Sequence, residues 1–401
     1  MKNKQKPELA PSVISAKEYA ALSPEEKAEW RAVDPRRERL PIVSYVFFGL
    51  GALALIIYVT ARLWPGFADF FNQNVSELFR RVLAALTNPI PFSLGEACLL
   101  LLPVAFGLVV WYAAKYRCDT WRSTWSFVGS LLSVVSLLLS MFVFTFATGY
   151  HGKPLDQKLG MEQQDVSAQE LYETALILVE KINEEKQHVS YDGADFSVMP
   201  YSLSEMNDKL LDAYDTFCEE HDFIDHYSSR IKPVMLSELM NYTHITGVYS
   251  YFTGEANIDI AFPDYTIPYT AAHELAHQRG IAKEDEANMI AFLVCMESED
   301  PYIRYCAYLN MYEYVANALY RANPDLYKEA RNKLDTDVRR EMVAYNEFFS
   351  KYQNSPASSV SGAVNDTFLK FQGTEGTASY GMVVDLTVAY YKSLGMISAE
   401  Q

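Results

Sequence analysis

The chain has 401 residues, half of them hydrophobic, and a formal net charge of −17 at pH 7. The charge is unevenly divided, because residues 1–149 contain 15 Lys/Arg and 11 Asp/Glu whereas residues 150–401 contain 19 and 40. An acidic C-terminal part lacks the basic footprint that phosphates require, so we expect no nucleic acid among the partners of this protein.

A polar tail, residues 1–40, precedes three apolar stretches that predict transmembrane helices. The first stretch, 42–61, is an uncharged run of 20 residues, which is long enough to span a bilayer. It begins too far from the N-terminus, and is too long, to be the core of a cleaved signal peptide. Stretches 94–114 and 125–149 predict the second and third spans. Residues 41–149 therefore form a predicted membrane domain, with the lipid bilayer as a partner.

The distribution of Lys and Arg predicts the orientation of this domain through the positive-inside rule. The tail contains nine Lys/Arg, and the 115–124 loop contains Lys115, Arg117 and Arg122. Both segments are therefore expected in the cytoplasm. Three spans then place residues 150–401 outside the cytoplasm, in a multi-pass protein of the cell membrane.

The segment between the first two spans, residues 65–93, has an amphipathic pattern. Its large apolar residues predict a helix that lies on the membrane surface. These residues are Phe67, Phe70, Phe71, Val75, Leu78 and Phe79. The segment also contains Arg80 and Arg81, so its Lys/Arg content contrasts only in part with that of the predicted cytoplasmic segments.

From Tyr150 onward the sequence has the periodicity of helices in a soluble domain. Two S-x-x-E capping boxes, at Ser167 and at Ser202, each predict the start of a helix. Between Thr253 and Ile260, apolar residues alternate with polar ones, which predicts a half-buried acidic strand. The fold class is therefore mainly α: three N-terminal transmembrane helices, then a mostly helical domain with a small edge β-sheet.

The residues His273-Glu274-Leu275-Ala276-His277 form the motif H-E-x-x-H. On a helix the two histidines share one face, where their imidazoles can occupy two corners of a tetrahedral Zn²⁺ site. Glu274 lies beside them, within reach of a water on the metal, and can act as a general base. A chance match would usually lie in a polar surface helix. Small apolar residues before and within this motif predict a buried helix instead.

The third metal ligand is predicted to come from the next helix. Gly280 can reverse the chain at the end of the first helix. In the following segment the face that carries Glu284 also carries small residues, so it can approach the two histidines closely. Glu284 is therefore the predicted third ligand, and Glu286 is the alternative. Asn288, one turn after Glu284, is placed to hydrogen-bond a ligand imidazole.

The Glu284-x-x-Ala287-Asn288 pattern resembles the E-x-x-A-D element of gluzincin metallopeptidases, in which the Glu binds zinc and the Asp orients a histidine. Asn288 replaces that Asp and brings no charge. The interval from His277 to Glu284 is shorter than gluzincins usually show. It is nearer to the metzincin pattern, but Lys283 stands where metzincins have a third histidine.

The chain as a whole resembles an uncharacterised bacterial multi-pass membrane family known only as a domain of unknown function. The zincin character implies an edge strand that pairs with an extended peptide, and the strand before the motif supplies the candidates. These candidates are Gly254, Glu255, Ala256 and Asn257. A plain acidic edge strand is the alternative. Zincins also need a group that stabilises the oxyanion, and because no histidine follows His277, Tyr380 is the candidate.

These features predict a membrane-anchored, zinc-dependent metallopeptidase that hydrolyses a peptide or protein substrate. Its cofactor is Zn²⁺, and residues 150–401 form its extracytoplasmic zincin-like metallopeptidase domain. The alternative is a non-catalytic membrane receptor or assembly protein that keeps zinc for structure. Glu274 favours the enzyme, because a structural zinc site needs no general base.

Overall fold

The computed structural model describes residues 12–397, except 15, 33, 35, 117–119, 192–194, 225–226 and 228. The fold is mainly α with two small sheets, which confirms the predicted fold class. The chain divides into two compact units. One contains residues 1–57 and 97–143, and the other contains residues 58–96 and 144–401.

The helices and strands of the described residues are numbered in chain order. The α-helices are α1 (Ala16–Ala21), α2 (Ile42–Leu63), α3 (Pro65–Phe71), α4 (Glu77–Thr87), α5 (Leu94–Tyr116), α6 (Trp121–Thr145), α7 (Leu155–Lys158), α8 (Ala168–Glu185), α9 (Leu203–Glu220), α10 (Ser237–Met240), α11 (Ile267–Gln278), α12 (Glu284–Glu297), α13 (Pro301–Ala322), α14 (Pro324–Lys333), α15 (Thr336–Ser350), α16 (Pro356–Phe371) and α17 (Val383–Ser393). The strands are β1 (Ser12–Ile14), β2 (Trp30–Ala32), β3 (Lys232–Pro233), β4 (Gly247–Ser250) and β5 (Glu255–Ile258).

Three of the described helices, α2, α5 and α6, are long and apolar enough to cross a membrane. The first two coincide closely with the predicted spans. The third begins at Trp121, earlier than the predicted 125, because the Thr120 hydroxyl accepts a hydrogen bond from the Ser123 N–H at 3.2 Å and caps the helix there. It ends at Thr145, and the predicted last turn is a 3₁₀ helix, Ala147–His151. Arg117, which entered the orientation argument, lies outside the described residues.

The segment that connects α2 to α5 belongs to the same unit as the C-terminal residues. Helices α3 and α4 are joined by a π-helical turn, Asn72–Ser76, so this segment is helical almost throughout. Arg80 and Ala84 are buried, whereas Phe70 and Leu78 are exposed. The exposed apolar face is compatible with a membrane surface, and that location stays a prediction.

Helices α8, α9, α11, α12, α13 and α17 enclose the main hydrophobic core of this unit. Both predicted capping boxes form: Ser167 accepts from the Glu170 N–H and Ser202 from the Glu205 N–H, each with the reciprocal bond. The two helices that start there end at Glu185 and Glu220. Helix α11 lies inside this core and is buried on nearly every face.

The three-stranded sheet has the order β3-β5-β4, with β5 parallel to β3 and antiparallel to β4. The prediction of a strand before the H-E-x-x-H helix is confirmed, but the prediction that it is an edge strand is wrong. Strand β5 is central, and all four of its residues are buried. The polar residue Glu255 is buried because its carboxylate binds Lys232 and the N–H groups of Leu94 and Gly95 at 3.1 and 2.9 Å.

This topology corrects the predicted substrate strand, Gly254, Glu255, Ala256 and Asn257. The β5 backbone is paired with a strand on each side, and the Gly254 carbonyl accepts a hydrogen bond from the Gln278 side chain at 2.7 Å. Residues 254–257 are all buried, Glu255, Ala256 and Asn257 pair with β4, and Asn257 also pairs with β3, so they offer no exposed edge to an extended peptide. Strand β4 lies at the edge of the sheet instead.

Candidate metal centre

Helix α11 holds the motif histidines within the core. Pro268 lies in its first turn, where a missing N–H costs nothing. The Tyr214 hydroxyl donates to the Ala272 carbonyl at 2.6 Å, and the Tyr269 hydroxyl donates to the Asn288 carbonyl at 3.0 Å. The second of these bonds joins α11 to α12. The buried helix that the small apolar residues predicted is therefore present.

The end of α11 is a Schellman turn. The Gly280 N–H donates to the His277 carbonyl at 2.9 Å, and the Ile281 N–H donates to the Ala276 carbonyl at 3.1 Å. Gly280 has a φ of 93°, a left-handed conformation that favours glycine. The turn places the Ile281 carbonyl 2.7 Å from Nδ1 of His277. An Nδ1–H that donates to this carbonyl leaves the lone pair on Nε2 of His277.

Glu284 faces the two imidazoles from the first residue of α12. Its Oε2 atom lies 3.1 Å from Nε2 of His273 and 3.3 Å from Nε2 of His277. One ligand atom from each of these three residues lies within 4.8 Å of the other two. The structure thus brings together the three residues predicted as ligands. Their role as metal ligands stays a prediction.

Glu286, the alternative ligand, faces elsewhere. Its Oε1 atom accepts hydrogen bonds from the Leu155 N–H at 3.1 Å and from the Lys283 ammonium at 2.8 Å. The two glutamates are two residues apart on α12, so their side chains leave the helix in different directions. Close approach to α11 is possible because the residues between the helices are small, and Ala287 and Ala291 are fully buried.

The electrostatics of this cluster are dominated by Glu284. Burial opposes a charge on His277, but the Glu284 carboxylate outweighs it and raises the pKa of His277 to about 9. For His273, burial and the neighbouring His277 lower the pKa. Burial would raise the pKa of Glu284, but the two imidazoles hold it well below its ordinary value. The pocket therefore favours an anionic Glu284 carboxylate beside the two Nε2 atoms.

Glu274 lies beside His273 on α11 and lines the same cavity. Burial raises its pKa to about 8, and its Oε2 atom has no hydrogen-bond partner among the described residues. Strand β4 passes directly over it. A Cβ atom at Gly247 would lie 2.5 Å from Oε1 of Glu274, so glycine is required there for β4 to approach this closely.

A cavity of about 970 Å³ opens over the cluster. Its walls include His273, Glu274, His277 and Glu284, and the backbone of β4 lines one side. A cavity of this size, with titratable groups converging at one wall, is the usual form of a small-molecule or peptide site. Other walls include residues of α13, α16 and the segment before α17.

Tyr380 lines this cavity from a 3₁₀ helix, Gly376–Met382, rather than from the start of α17. The Asn365 amide donates to its hydroxyl at 3.3 Å. Burial raises the pKa of Tyr380, and the charge of Glu284 raises it further. The predicted oxyanion group therefore lies near the carboxylates of the site with its phenol protonated.

Asn288 is close to His273, as predicted, but its side-chain amide also contacts Tyr380 and Tyr314. Its amide lies 3.4 Å from the Tyr380 carbonyl and 3.5 Å from the Tyr314 hydroxyl. Burial lowers the pKa of His273, and interaction with Asn288, which favours the protonated ring, opposes part of that effect. Nδ1 of His273 has no hydrogen-bond partner among the described residues.

Several residues of the site were not predicted from the sequence. Tyr150 and Tyr314 line the cavity, and the Glu284 charge adds to the effect of burial in raising the pKa of each phenol. The Phe146 ring meets the His277 ring edge-on, with centroids 5.8 Å apart. Gly247 belongs to β4, which has no clear alternation. Tyr314 was hidden among the tyrosines of α13, a pattern typical of core packing.

In the part of the chain that the structure describes, the fold and the site together define a mainly helical protein with three helices long and apolar enough to cross a membrane and one candidate metal centre formed by two histidines and a glutamate. Residues 71–388 match the family model described as "Protein of unknown function (DUF3810)", and the chain belongs to this family. The predicted membership of an uncharacterised family is thus confirmed. Comparison with curated proteins and with solved structures finds no match.

Proposed function

We propose that the protein is a membrane-anchored zinc metallopeptidase. The observation that carries this proposal is the convergence of Nε2 of His273, Nε2 of His277 and Oε2 of Glu284, with the free carboxylate oxygen of Glu274 at the same cavity wall. The resemblance of this constellation to gluzincin sites supports the same reading.

The residues fit a catalytic zinc site. Two imidazoles and one carboxylate are a donor set that catalytic zinc uses, and the set leaves a fourth position open. His277 is oriented for coordination through Nε2, because its Nδ1 lies at the Ile281 carbonyl. When bound, zinc would act as a Lewis acid that activates water and polarises the scissile carbonyl.

Glu274 would then move the proton. Its carboxylate is buried, and its Oε2 atom is free to accept a proton from the attacking water. The same group can pass that proton to the amine that leaves. Tyr380 would donate its phenolic hydrogen toward the oxygen on which negative charge develops. Asn288 and the Ile281 carbonyl would keep the histidine rings in position.

Strand β4, rather than β5, is the proposed substrate strand. It lies at the sheet edge and its Gly247, Val248 and Tyr249 line the cavity. An extended peptide that pairs with this edge would carry its backbone past Glu274, because β4 itself passes over that carboxylate. The substrate is therefore proposed to be a peptide or an unfolded protein segment.

The proposed location is the cell membrane, with the site outside the cytoplasm. This orientation rests on the Lys/Arg content of the tail and of the loop that precedes α6. The three helices of sufficient length and apolarity among the described residues would supply the anchor. A protease added to intact cells should then cut within residues 150–401.

The decisive test compares wild type and Glu274→Gln as full-length proteins in a nonionic detergent. Both should bind zinc equally, because the substitution leaves all three proposed ligands in place. Hydrolysis of a peptide library should fall by about 10²-fold or more in the variant, since the general base is lost. Equal turnover by the two proteins would contradict the mechanism. A zinc-loaded wild type that cuts nothing would support the non-catalytic receptor or assembly role instead.

A further inference from the structure

A single carboxylate on α13 faces the cavity without a cationic partner. Glu313 lines the cavity together with Asn310 and Asn317, which are three residues before it and four after it. These three residues share one helix face. Glu313 also precedes Tyr314, whose hydroxyl lies beside the Asn288 amide. The acceptors of this face therefore lie in the same cavity as the proposed zinc site.

This face offers hydrogen-bond acceptors to the cavity. Glu313 accepts one hydrogen bond, from the Tyr265 hydroxyl at 3.3 Å, and its Oε2 atom has no partner among the described residues. The Asn310 amide nitrogen donates to the Cys306 and Tyr265 carbonyls, which leaves the Asn310 side-chain oxygen available.

The charge of the cavity also favours a positively charged ligand. Its described lining residues include three carboxylates, Glu274, Glu284 and Glu313, and contain neither lysine nor arginine. Glu284 has two imidazoles beside it, and Glu274 has a role in proton transfer. Glu313 has no ion pair with a described residue. Burial raises its pKa to about 7, so the empty cavity holds a carboxyl group that a positive charge would stabilise as an anion.

Resting on the proposed peptidase function, we propose that Glu313 is a specificity residue that binds a cationic group of the substrate. The shared chemistry is a positively charged nitrogen with several N–H donors, as in a lysine or arginine side chain or a free N-terminal ammonium. Such a group would donate to Oε2 of Glu313 and to the side-chain oxygen of Asn310. A substrate selected by Glu313 would be basic, which suits a cavity with acidic walls.

Binding to a catalytically inactive protein tests this idea independently of turnover. The host is full-length Glu274→Gln in a nonionic detergent, with and without the added change Glu313→Gln. Three short amide-capped probes are compared by calorimetry: acetyl-Ala-Lys-Ala, Ala-norleucine-Ala and acetyl-Ala-norleucine-Ala. The first has only a side-chain cation, the second has only an α-ammonium, and the third has neither.

The expected result is that one cationic probe binds at least about 10-fold more tightly than the neutral probe, the scale of a hydrogen-bonded charge. Glu313→Gln should remove this preference and leave the neutral probe unaffected. Whichever cationic probe shows the effect identifies the source of the charge. Equal binding of all three probes, or a preference that survives Glu313→Gln, would overturn the proposal.

The hydrolysis assay separates this proposal from the proposed function. If wild type cuts no peptide but the cationic preference is present and depends on Glu313, the cation site stands and the peptidase does not. If wild type cuts basic and neutral peptides equally well, with kcat/KM unchanged by Glu313→Gln, the peptidase stands and the specificity proposal fails. Zinc content, which should not change in Glu313→Gln, shows that the metal centre is intact.

Discussion

Nδ1 of His277 lies 2.7 Å from the main-chain oxygen of Ile281, four residues further along the chain. The contact exists because the Schellman turn at Gly280 folds the backbone back toward the end of α11. One turn therefore ends the helix, orients one imidazole and leads directly into α12, which begins at Glu284. The geometry of the candidate metal centre depends on this turn as much as on the motif.

Gly280→Ala is therefore expected to destabilise the protein and weaken zinc binding together. A residue with a Cβ pays about 1–2 kcal/mol in the left-handed conformation. The added Cβ would also lie 2.5 Å from a guanidinium nitrogen of Arg80. Thermal unfolding in detergent and zinc retention after dialysis measure the two effects.

Gly362→Ala is the matched control for this prediction. Gly362 lies within α16, and a Cβ added there meets nothing within 4 Å. Alanine is the better helix former, so this change should be neutral or stabilise by up to about 1 kcal/mol. A Gly280→Ala protein that unfolds at the wild-type temperature and keeps its zinc would show that the turn does not constrain the site.

The two glutamates of α12 give a direct test of the ligand set. Glu284→Gln should lower the zinc retained through dialysis by about 10-fold or more, because a neutral carboxamide is a poorer zinc ligand than the carboxylate that it replaces. Glu286→Gln should retain zinc, because Glu286 contacts Leu155 and Lys283 rather than the imidazoles. Metal analysis of the purified proteins distinguishes them. The opposite ranking would identify Glu286 as the ligand.

Arg80 is expected to support the metal centre from outside it. Its guanidinium is buried and donates to the Thr145 carbonyl at 3.0 Å and to the Asn72 side-chain oxygen at 2.8 Å. The Asn72 amide in turn donates to the Gly280 carbonyl at 3.0 Å. Arg80→Met would leave these acceptors without a donor, at about 1–3 kcal/mol for each buried group. We expect a lower unfolding temperature and weaker zinc retention.

The neighbouring arginine provides the control. Arg81 is half-exposed, forms an ion pair with Glu77 and lies over the Tyr227 ring. Arg81→Met should cost no more than about 1 kcal/mol, the usual range for an exposed pair. Similar losses in Arg80→Met and Arg81→Met would mean that the segment acts through its overall charge and not through the buried contacts of Arg80.

Local sequence was sufficient where the deciding interactions are local. Four-residue spacing put His273 and His277 on one face, and both capping boxes formed as predicted because each joins residues three positions apart. The face of α12 that carries small residues correctly indicated that Glu284, and not Glu286, turns toward the histidines. In each case helical geometry alone determines which side chains are neighbours.

Contacts between residues far apart in the chain explain why some sequence-based predictions were wrong. The alternation of β5 predicts Glu255 on the polar face of a half-buried strand, but Lys232 and the first N–H groups of α5 make its burial possible. Arg80 was counted only as a positive charge, and its partner Thr145 lies 65 residues away in the chain. No periodicity in a single segment indicates such a partner. Burial of charged groups is therefore where sequence patterns were least informative.

Asp259 gives a pH dependence of stability that can be isolated. Burial raises its pKa from about 3.8 to about 6. A carboxyl group with a raised pKa in the folded state stabilises the fold fully below its unfolded pKa, and this contribution is lost as the pH rises through the folded value. Between about pH 4 and pH 6 the wild type should thus lose stability through this group.

Asp259→Asn removes that titration and keeps the shape of the side chain. The Ala261 N–H can still donate to the amide oxygen, as it does to Oδ1 of Asp259 at 2.8 Å. The difference in unfolding temperature between variant and wild type should therefore grow in favour of the variant from pH 4 to pH 7. Other titrating carboxyls contribute equally to both proteins and cancel. A constant difference across this range would contradict the assignment.

The last prediction concerns the group that stabilises the oxyanion. Three tyrosines, Tyr150, Tyr314 and Tyr380, line the cavity near Glu284. The Tyr314 hydroxyl lies at the Asn288 amide, which fits a structural role. The Tyr380 hydroxyl accepts from the Asn365 amide, so its own hydrogen can be donated to an acceptor at the site, such as the Glu284 carboxylate or a substrate oxygen. Tyr380 is therefore the expected donor.

Tyr380→Phe should lower kcat by about 10-fold or more, since one donor to a developing oxyanion is lost. The loss should be smaller than that of Glu274→Gln, and KM and zinc content should stay near wild type, because the hydroxyl acts mainly in the transition state. Tyr150→Phe and Tyr314→Phe are matched controls that remove a similarly buried hydroxyl. Steady-state kinetics with one cleaved peptide compares wild type with the three tyrosine variants. If a control loses kcat and Tyr380→Phe does not, the oxyanion donor is the tyrosine changed in that control.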